Sequence, residues 1–194
     1  MIKILIVGGA GFIGTNFIQY LIYNKIKTQI YIIDNLFKGS IDFLKQEKEK
    51  VGWEKTDITD QKKMDKIFVA FKPTVVLHLA AKHYIPECEV NPGQTFKINV
   101  YGTYVIVNLC NKYKVKHLLF TSSAAVYKKS GRMNENDETG ALDVYGISKI
   151  LAEKIIEKHC TRPWTIFRLF NIIGPNETND HLLETITNQL KKQI

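Results

Sequence analysis

Short, nearly uninterrupted apolar runs recur along the chain, and they constrain the fold more than any other feature. Because successive residues are apolar, these runs suit strands that are buried on both faces of a parallel sheet. The intervening segments carry apolar residues at helical spacing. This alternation predicts an α/β fold with a doubly wound parallel sheet of about six strands and right-handed crossovers. The predicted strands are Ile2–Val7, Gln29–Ile33, Val51–Lys55, Val75–Leu79, His117–Thr121 and Thr165–Leu169.

Helices are predicted between the strands and after the last one. Apolar spacing sets their extents, and Pro92 is well placed at the start of a helix because its fixed φ suits the first turn. The predicted helices are Phe12–Ile26, Lys62–Phe71, Pro92–Tyr113, Tyr145–His159 and His181–Lys192.

Composition narrows the function classes. The chain is 45% apolar and 24% charged, as ordinary soluble domains are, and it carries a net charge of +8. The basic residues are scattered and interleaved with acidic ones instead of forming one face, so no nucleic-acid partner is predicted. Three widely spaced cysteines and five histidines without ligand spacing predict no metal site. No apolar run reaches 18 residues and the N-terminal run lacks a signal-peptide pattern, so we expect a cytoplasmic protein with no membrane partner.

A glycine-rich turn follows the first predicted strand. Gly8, Gly11 and Gly14 form G-x-x-G-x-x-G and open the first predicted helix. Glycines let backbone N–H groups approach a pyrophosphate, and the helix dipole favours the anion. No Gly-Lys-Ser/Thr follows, which excludes a P-loop. The turn predicts a dinucleotide site; a tight strand–helix turn without a ligand is the alternative.

An acidic residue, Asp34, ends the second predicted strand twenty residues after Gly14. A carboxylate there can accept both ribose hydroxyls of an adenosine and would repel a 2′-phosphate, which favours NAD over NADP. Asp34 and Asn35 also suit a plain turn. Asp57 and Ile58 end the next strand, where the carboxylate could reach the adenine amino group.

Tyr145 and Lys149 lie four residues apart at the head of a predicted helix, so they share one face. A nearby ammonium stabilises a phenolate and makes tyrosine a usable base at neutral pH. Thr121 and Ser123 end the fifth strand, at the sheet edge where ligands of doubly wound folds bind. The pattern predicts a catalytic set of Ser123, Tyr145 and Lys149.

The combined motifs resemble the extended short-chain dehydrogenases, in particular the NAD-dependent epimerase/dehydratase family acting on nucleotide sugars. The resemblance runs from residue 1 to about 178. It is carried by residues 8–14, 34–36, 57–58, 78–81, 99–103, 122–127, Tyr145 with Lys149, and 168–175.

This resemblance implies a Rossmann-type NAD-binding domain over residues 1–178, with residues 179–194 as a terminal helix leading toward a substrate domain that is largely missing here. It implies NAD as cofactor, and Ser123 and Asn171 as substrate contacts. The implied cofactor contacts are Gly8, Gly11, Phe12, Ile13, Gly14, Asp34, Asn35, Asp57, Ile58, Leu79, Ala80, Ala81, His83, Asn99, Thr121, Tyr145, Lys149 and Phe170. His83 is equally compatible with a surface loop.

The residues after Ser123 separate chemistries within the family. Sugar dehydratases carry Thr-Asp-Glu there, whereas this chain has Ser123-Ala124-Ala125, which resembles the 4-epimerases. The resemblance therefore implies epimerisation of a UDP-hexose or similar nucleotide sugar by transient oxidation at C4. A non-catalytic NAD(H)-binding module and a related dehydratase or reductase are the alternatives. It also implies a homodimer through a four-helix bundle of Pro92–Tyr113 and Tyr145–His159.

Overall fold

The computed structural model describes residues 1–128, 131–175 and Gln189. Its centre is a six-stranded sheet, all parallel, in the order β3-β2-β1-β4-β5-β6. The predicted α/β fold with a doubly wound sheet is confirmed. The strands are β1 Ile2–Val7, β2 Thr28–Asp34, β3 Gly52–Lys55, β4 Val75–His78, β5 His117–Ser123 and β6 Trp164–Leu169.

Helices connect the strands on both faces of the sheet. The α-helices are α1 Phe12–Tyr23, α2 Gln61–Phe71, α3 Ile85–Val90, α4 Pro92–Phe96, α5 Gly102–Lys112 and α6 Val144–His159. A π-helical turn, Lys97–Tyr101, joins α4 to α5, and 3₁₀ helices cover Ile41–Lys50 (broken at Lys45) and Ala124–Val126.

The core consists of one apolar layer on each face of the sheet. Strand alternation divides β1 between them: Leu5 and Val7 join the layer covered by α2, α5 and α6, whereas Ile4 and Ile6 join the layer covered by α1. Both layers are almost fully buried, which is why the strands read as continuous apolar runs.

The strand order places a crevice beside β1. After β1 the chain moves to β2 on one side, and β4 continues the sheet on the other side. At such a switch point the two connections leave in opposite directions, and ligands bind at the carboxyl ends of the strands there. The glycine turn therefore lies at the mouth of this crevice.

Several boundaries differ from the sequence predictions. The first helix ends at Tyr23 and not at Ile26, because Lys25 adopts a left-handed conformation with φ 52°. The predicted helix Pro92–Tyr113 is divided by the π turn, and β5 continues to Ser123. Apart from Gln189, the predicted helix His181–Lys192 lies outside the described residues.

Candidate cofactor and catalytic site

Close backbone approach explains two of the three glycines in the turn after β1. Gly8 has φ +82°, and a Cβ there would lie 2.5 Å from the Ala80 nitrogen. A Cβ on Gly14 would lie 2.5 Å from the Gly9 oxygen. Gly11 is the extended residue before α1, and the first turn of α1 has no acidic side chain. The positive end of the helix dipole is therefore open to an anion.

Asp34 connects the glycine turn to the loop after β2. Its Oδ2 accepts the Ala10 N–H at 3.1 Å, and its Oδ1 accepts the Leu36 N–H at 2.8 Å. Burial raises the pKa of Asp34, and these two backbone hydrogen bonds oppose the rise. Each oxygen has a further lone pair, so the carboxylate can still accept ribose hydroxyls.

Asp57 is held next to this loop. Asn35 Nδ2 donates to Asp57 Oδ2 at 3.4 Å, and Thr59 donates to Oδ1 through both its amide and its hydroxyl. Burial acts to raise the pKa of Asp57, but the hydrogen bonds and the charge of Lys97 outweigh it and lower the pKa overall. Asp57 is therefore an ionised acceptor beside Asn35, as the adenine contact requires.

An ion pair that sequence reasoning missed joins the loops on either side of the turn. Lys38 Nζ, in the loop after β2, lies 2.9 Å from Glu87 Oε1 on α3. Because β2 and β4 flank β1, this pair spans the carboxyl end of β1. Gly39 lets the same loop lie directly against the glycine turn, since a Cβ on Gly39 would lie 2.6 Å from the Ala10 oxygen. The two residues are 49 apart in sequence, so no local signal indicates the contact.

The Tyr145–Lys149 pair lies at the start of α6, where Asp143 caps the helix by accepting the Gly146 N–H at 2.7 Å. Lys149 is only 2% exposed. Its Nζ donates to the Thr121 carbonyl at 2.8 Å and lies 6.0 Å from the centroid of the Tyr145 ring. The predicted face-sharing of this pair therefore occurs at the carboxyl edge of β5.

Burial disfavours the charged form of both side chains. It lowers the pKa of Lys149 to about 7, and the negative charge of Glu153 opposes the decrease. Burial also raises the pKa of Tyr145, against which the Ser123 hydroxyl acts, while Cys88 and Asp143 add to the rise. The site without ligand therefore favours a neutral phenol.

Ser123 completes the group at the end of β5. Its Oγ accepts the Ala125 N–H at 3.1 Å and so caps the 3₁₀ turn that follows. The hydroxyl proton is not used in that bond, so Ser123 can donate to a phenol or a substrate oxygen. The structure thus brings Ser123, Tyr145 and Lys149 together.

Asn99, in the π turn, connects the loop after β4 to α6. It exchanges two 2.8 Å hydrogen bonds with the Lys82 backbone, and its Nδ2 also donates to Ser148 Oγ at 2.8 Å. Ser148 in turn donates to the Tyr145 carbonyl at 2.6 Å. The amide of Asn99 is therefore committed to the protein, and Asn99 braces the helix that carries Tyr145. A π turn at such a position is common near functional sites.

His78 ends β4 beneath this group, and sequence reasoning gave it no role beyond the family motif. Its Nε2 lies 3.0 Å from Thr103 Oγ1, which itself donates to the Asn99 carbonyl at 2.6 Å. Thr103 has only one hydroxyl proton, so Nε2 must carry the shared one and Nδ1 is unprotonated. Among the described residues, the buried Nδ1 has no hydrogen-bond partner. Burial, with the charge of Lys149, lowers the pKa of His78 to about 3.

The segment after β6 returns toward α1. Asn16 Nδ2 donates to the Pro175 carbonyl at 2.9 Å, and a Cβ on Gly174 would lie 3.1 Å from the Phe12 ring. Phe170 and Asn171, predicted to approach nicotinamide and substrate, are exposed at the start of this segment. Ile13 lies in the first turn of α1.

The remaining predicted contacts lie along two connections. Ile58 follows β3 and is buried against Gly102, whose Cβ would lie 2.2 Å from the Ile58 Cδ1. Leu79, Ala80 and Ala81 directly follow β4 and are partly buried, whereas His83 is exposed. Leu79 and Ala80 both donate their N–H to the Val7 carbonyl, which holds this connection against the glycine turn.

Among the described residues, no group of three or more His, Cys, Asp or Glu side chains could hold a metal ion. No helix in the same part of the chain is both long enough and apolar enough to cross a bilayer.

Comparison with known proteins gives the family. Residues 4–194 match the model of the NAD dependent epimerase/dehydratase family. A UDP-glucose 4-epimerase of Lactobacillus helveticus is 32% identical over 203 residues, covering 99% of this chain and 60% of that enzyme. The chain therefore belongs to the NAD dependent epimerase/dehydratase family, as its motifs indicated.

Solved structures agree with this assignment. The Bordetella bronchiseptica enzyme WbmG, in complex with NAD, has a TM-score of 0.88 and 28% identity, covering 98% of this chain and 60% of that one. The UDP-glucose 4-epimerase of Thermotoga maritima, solved with UDP-glucose, has a TM-score of 0.80 and 27% identity, covering 90% and 57%. The chain thus spans little more than half the length of these relatives.

We expect His78 to contribute to acid unfolding. Its folded pKa of about 3 lies below the ordinary value of 6.5, so the unfolded chain binds an extra proton and stability is lost as pH falls from 6.5 toward 3. The loss attributable to His78 should reach about 2 kcal/mol near pH 5. Urea unfolding between pH 7 and 4 should therefore show a shallower pH dependence for His78→Leu than for the unmodified chain. An unchanged slope in His78→Leu would contradict a role for His78 in acid unfolding.

Proposed function

We propose that the chain is the NAD-binding part of a nucleotide-sugar epimerase that inverts the 4-hydroxyl of a UDP-hexose. The observation that carries the proposal is the buried Lys149 ammonium next to Tyr145 and Ser123, at the same sheet edge as the glycine turn and Asp34. The names of the similar proteins support the 4-epimerase reaction. Residues 1–178 form the cofactor domain in this proposal.

The residues present fit a dinucleotide. The open first turn of α1 would receive the pyrophosphate, and Asp34 would accept the adenosine ribose hydroxyls. Asn35 and Asp57 would contact the adenine. Ala80 and Ala81 would line the part of the groove that holds the adenosine. WbmG, which is similar over nearly the whole chain, was solved with NAD, and this supports NAD as the cofactor.

The chemistry follows from the charges of the site. NAD, when bound, would supply a hydride acceptor and donor for C4 of the sugar. Tyr145, as phenolate, takes the proton of the sugar 4-hydroxyl and later gives it back. Ser123 orients that hydroxyl, and Lys149 stabilises the phenolate. Because burial favours the phenol, the Lys149 ammonium must offset the effect of burial before Tyr145 can act as a base.

The two residues that follow Ser123 disfavour dehydration of the sugar. Eliminating water from a sugar needs an acid and a base near the reacting carbons. Ala124 and Ala125 follow Ser123, so neither position can supply a carboxyl group. This favours epimerisation over dehydration.

The chain should bind NAD more tightly than NADP, by about tenfold or more, which corresponds to about 1.4 kcal/mol. The reason is that the Asp34 carboxylate repels a 2′-phosphate. Calorimetric titration of the 194-residue chain with both nucleotides measures the ratio. Asp34→Asn should reduce the ratio of the two affinities, whereas the exposed Asp42→Asn should leave the ratio unchanged. Equal affinities for the two nucleotides in the unmodified chain would contradict this role of Asp34.

Turnover should depend on the Tyr145 hydroxyl. With NAD and UDP-glucose, formation of UDP-galactose followed by NMR should fall by about 100-fold or more in Tyr145→Phe, because the proton acceptor is lost. Tyr23→Phe, on the exposed end of α1, is the matched control and should retain the rate. Full activity in a folded Tyr145→Phe would refute the mechanism. NAD binding without any turnover in the unmodified chain would favour the alternative of a non-catalytic NAD(H)-binding module.

We propose that a second copy of the chain covers the outer faces of α5 and α6. Tyr104 on α5 is 41% exposed, and Leu151 on α6 is 43% exposed, although both are large and apolar. Ile147, one turn before Leu151, extends the same face. Such a face is suited to packing in a four-helix bundle.

Sedimentation should detect this dimer. The unmodified chain should sediment as a dimer at micromolar concentration. Leu151→Lys should shift it toward monomer, because a charge on the packing face is costly to bury. Leu142→Lys, at a highly exposed site outside both helices, should leave the dimer intact. A monomeric unmodified chain at every concentration tested would contradict the proposal.

A further inference from the structure

A buried ion pair joins α6 to β6. Arg168 donates to the Glu153 carboxylate through two atoms, with Nε to Oε1 at 3.1 Å and Nη2 to Oε2 at 2.8 Å. The Glu153 side chain is only 3% exposed and the Arg168 side chain 18%. Arg168 also donates to the Glu135 carbonyl at 3.0 Å, and its guanidinium lies 4.9 Å from the centroid of the Tyr127 ring. The guanidinium is therefore fixed from several sides.

This ion pair is next to the contact that holds Lys149. Glu153 lies one turn after Lys149 on the same face of α6. Arg168 is paired in register with Ser122, the neighbour of Thr121, whose carbonyl receives the Lys149 ammonium. The ion pair thus connects α6 to the sheet one residue away from Thr121, whose carbonyl accepts the hydrogen bond from Lys149.

The titratable side chains around Lys149 come from three elements: α6, β4 and β6. Tyr145 and Glu153 face it from α6, His78 from β4, and Arg168 stands behind Glu153 on β6. His78 is neutral, because its pKa is about 3. With a neutral phenol, this buried group holds two cations and one anion. With a phenolate the charges balance, so the charges of this group oppose the effect of burial on Tyr145 without outweighing it.

We propose that Glu153, clamped by Arg168, is a positioning residue that holds a negative charge one helical turn from the Lys149 ammonium. Arg168 binds both carboxylate oxygens of Glu153 and so fixes the carboxylate in place. Its negative charge then keeps Lys149 protonated in a site where burial would otherwise remove the proton. This inference rests on the proposed function only in treating Tyr145 as the base that Lys149 serves.

The direct test is the titration of Lys149. NMR of the full chain labelled with ¹³C at lysine Cε gives each lysine's titration midpoint, and Lys149→Arg identifies the resonance by its loss. Glu153→Gln, which keeps the size and removes the charge, should lower the Lys149 midpoint by about 1 pH unit or more. Glu157→Gln is the matched control on the same helix, since Glu157 pairs with the exposed Lys154 at 2.7 Å. It should leave the midpoint unchanged, and an unchanged midpoint in a folded Glu153→Gln would overturn the proposal.

A second variant covers the case in which Glu153→Gln does not fold because Arg168 is left buried and unpaired. Glu153→Met with Arg168→Met removes both charges, and such replacements of buried pairs are often tolerated. The Lys149 midpoint should fall in this variant as well. If it stays at the unmodified value, the ion pair has only a structural role and the proposal fails.

The titration of Lys149 uses neither NAD nor a sugar, so the two proposals can fail separately. If the chain binds no NAD while the Lys149 midpoint shifts in Glu153→Gln, the proposed function fails and the charge assignment stands. If NAD binds and the midpoint does not shift, the proposed function stands and the charge assignment fails.

Discussion

The close approach of two backbone segments at the carboxyl end of β1 determines where a ligand can lie. Gly8 turns away with a positive φ and passes against Ala80, where any side chain would collide with the backbone. The connections to β2 and β4 diverge from this point, which opens the crevice over β1. Asp34 then fixes the turn to the loop after β2 by accepting the Ala10 N–H. The proposed cofactor groove is thus a consequence of packing at a single point.

The proposed catalytic site depends on the effect of burial on two ionisable groups, the Lys149 ammonium and the Tyr145 phenol. Burial alone would leave Lys149 partly neutral at physiological pH and Tyr145 fully protonated. In a low-dielectric site the ammonium and the phenolate stabilise each other, so the charged form of each favours the charged form of the other. The negative charge of Glu153, held in place by Arg168, also favours the charged form of Lys149. Through the hydrogen bonds of Asn99 and Ser148, the backbone of Tyr145 is also connected to the loop after β4, and hence to the groove.

Local sequence patterns predicted much of this structure, for physical reasons that particular elements illustrate. The strands could be predicted because burial on both faces demands apolar residues in succession, and the glycine turn because close approach excludes side chains. The end of α1 could not be predicted, because Lys25 adopts a left-handed conformation that is uncommon for a lysine. The π turn could not be predicted either, because Asn99 is held there by hydrogen bonds to Lys82 and Ser148, which are distant in sequence. The Lys38–Glu87 and Glu153–Arg168 pairs were also missed, since partners 49 and 15 residues apart leave no local signal. The predicted roles of the site residues stay predictions, although the fold brings Ser123, Tyr145 and Lys149 to one edge.

The central claim is that the crevice over β1 is a dinucleotide site, and amide hydrogen exchange with and without NAD tests it most directly. Binding there should slow exchange in residues 8–14 and 34–40, because their N–H groups become covered or more tightly held. Exchange at the end of α2 near Phe71, whose carbonyl accepts from Lys3 at the start of β1, should not change. Unaltered exchange in residues 8–14 at saturating NAD, or protection confined to another part of the chain, would contradict the account.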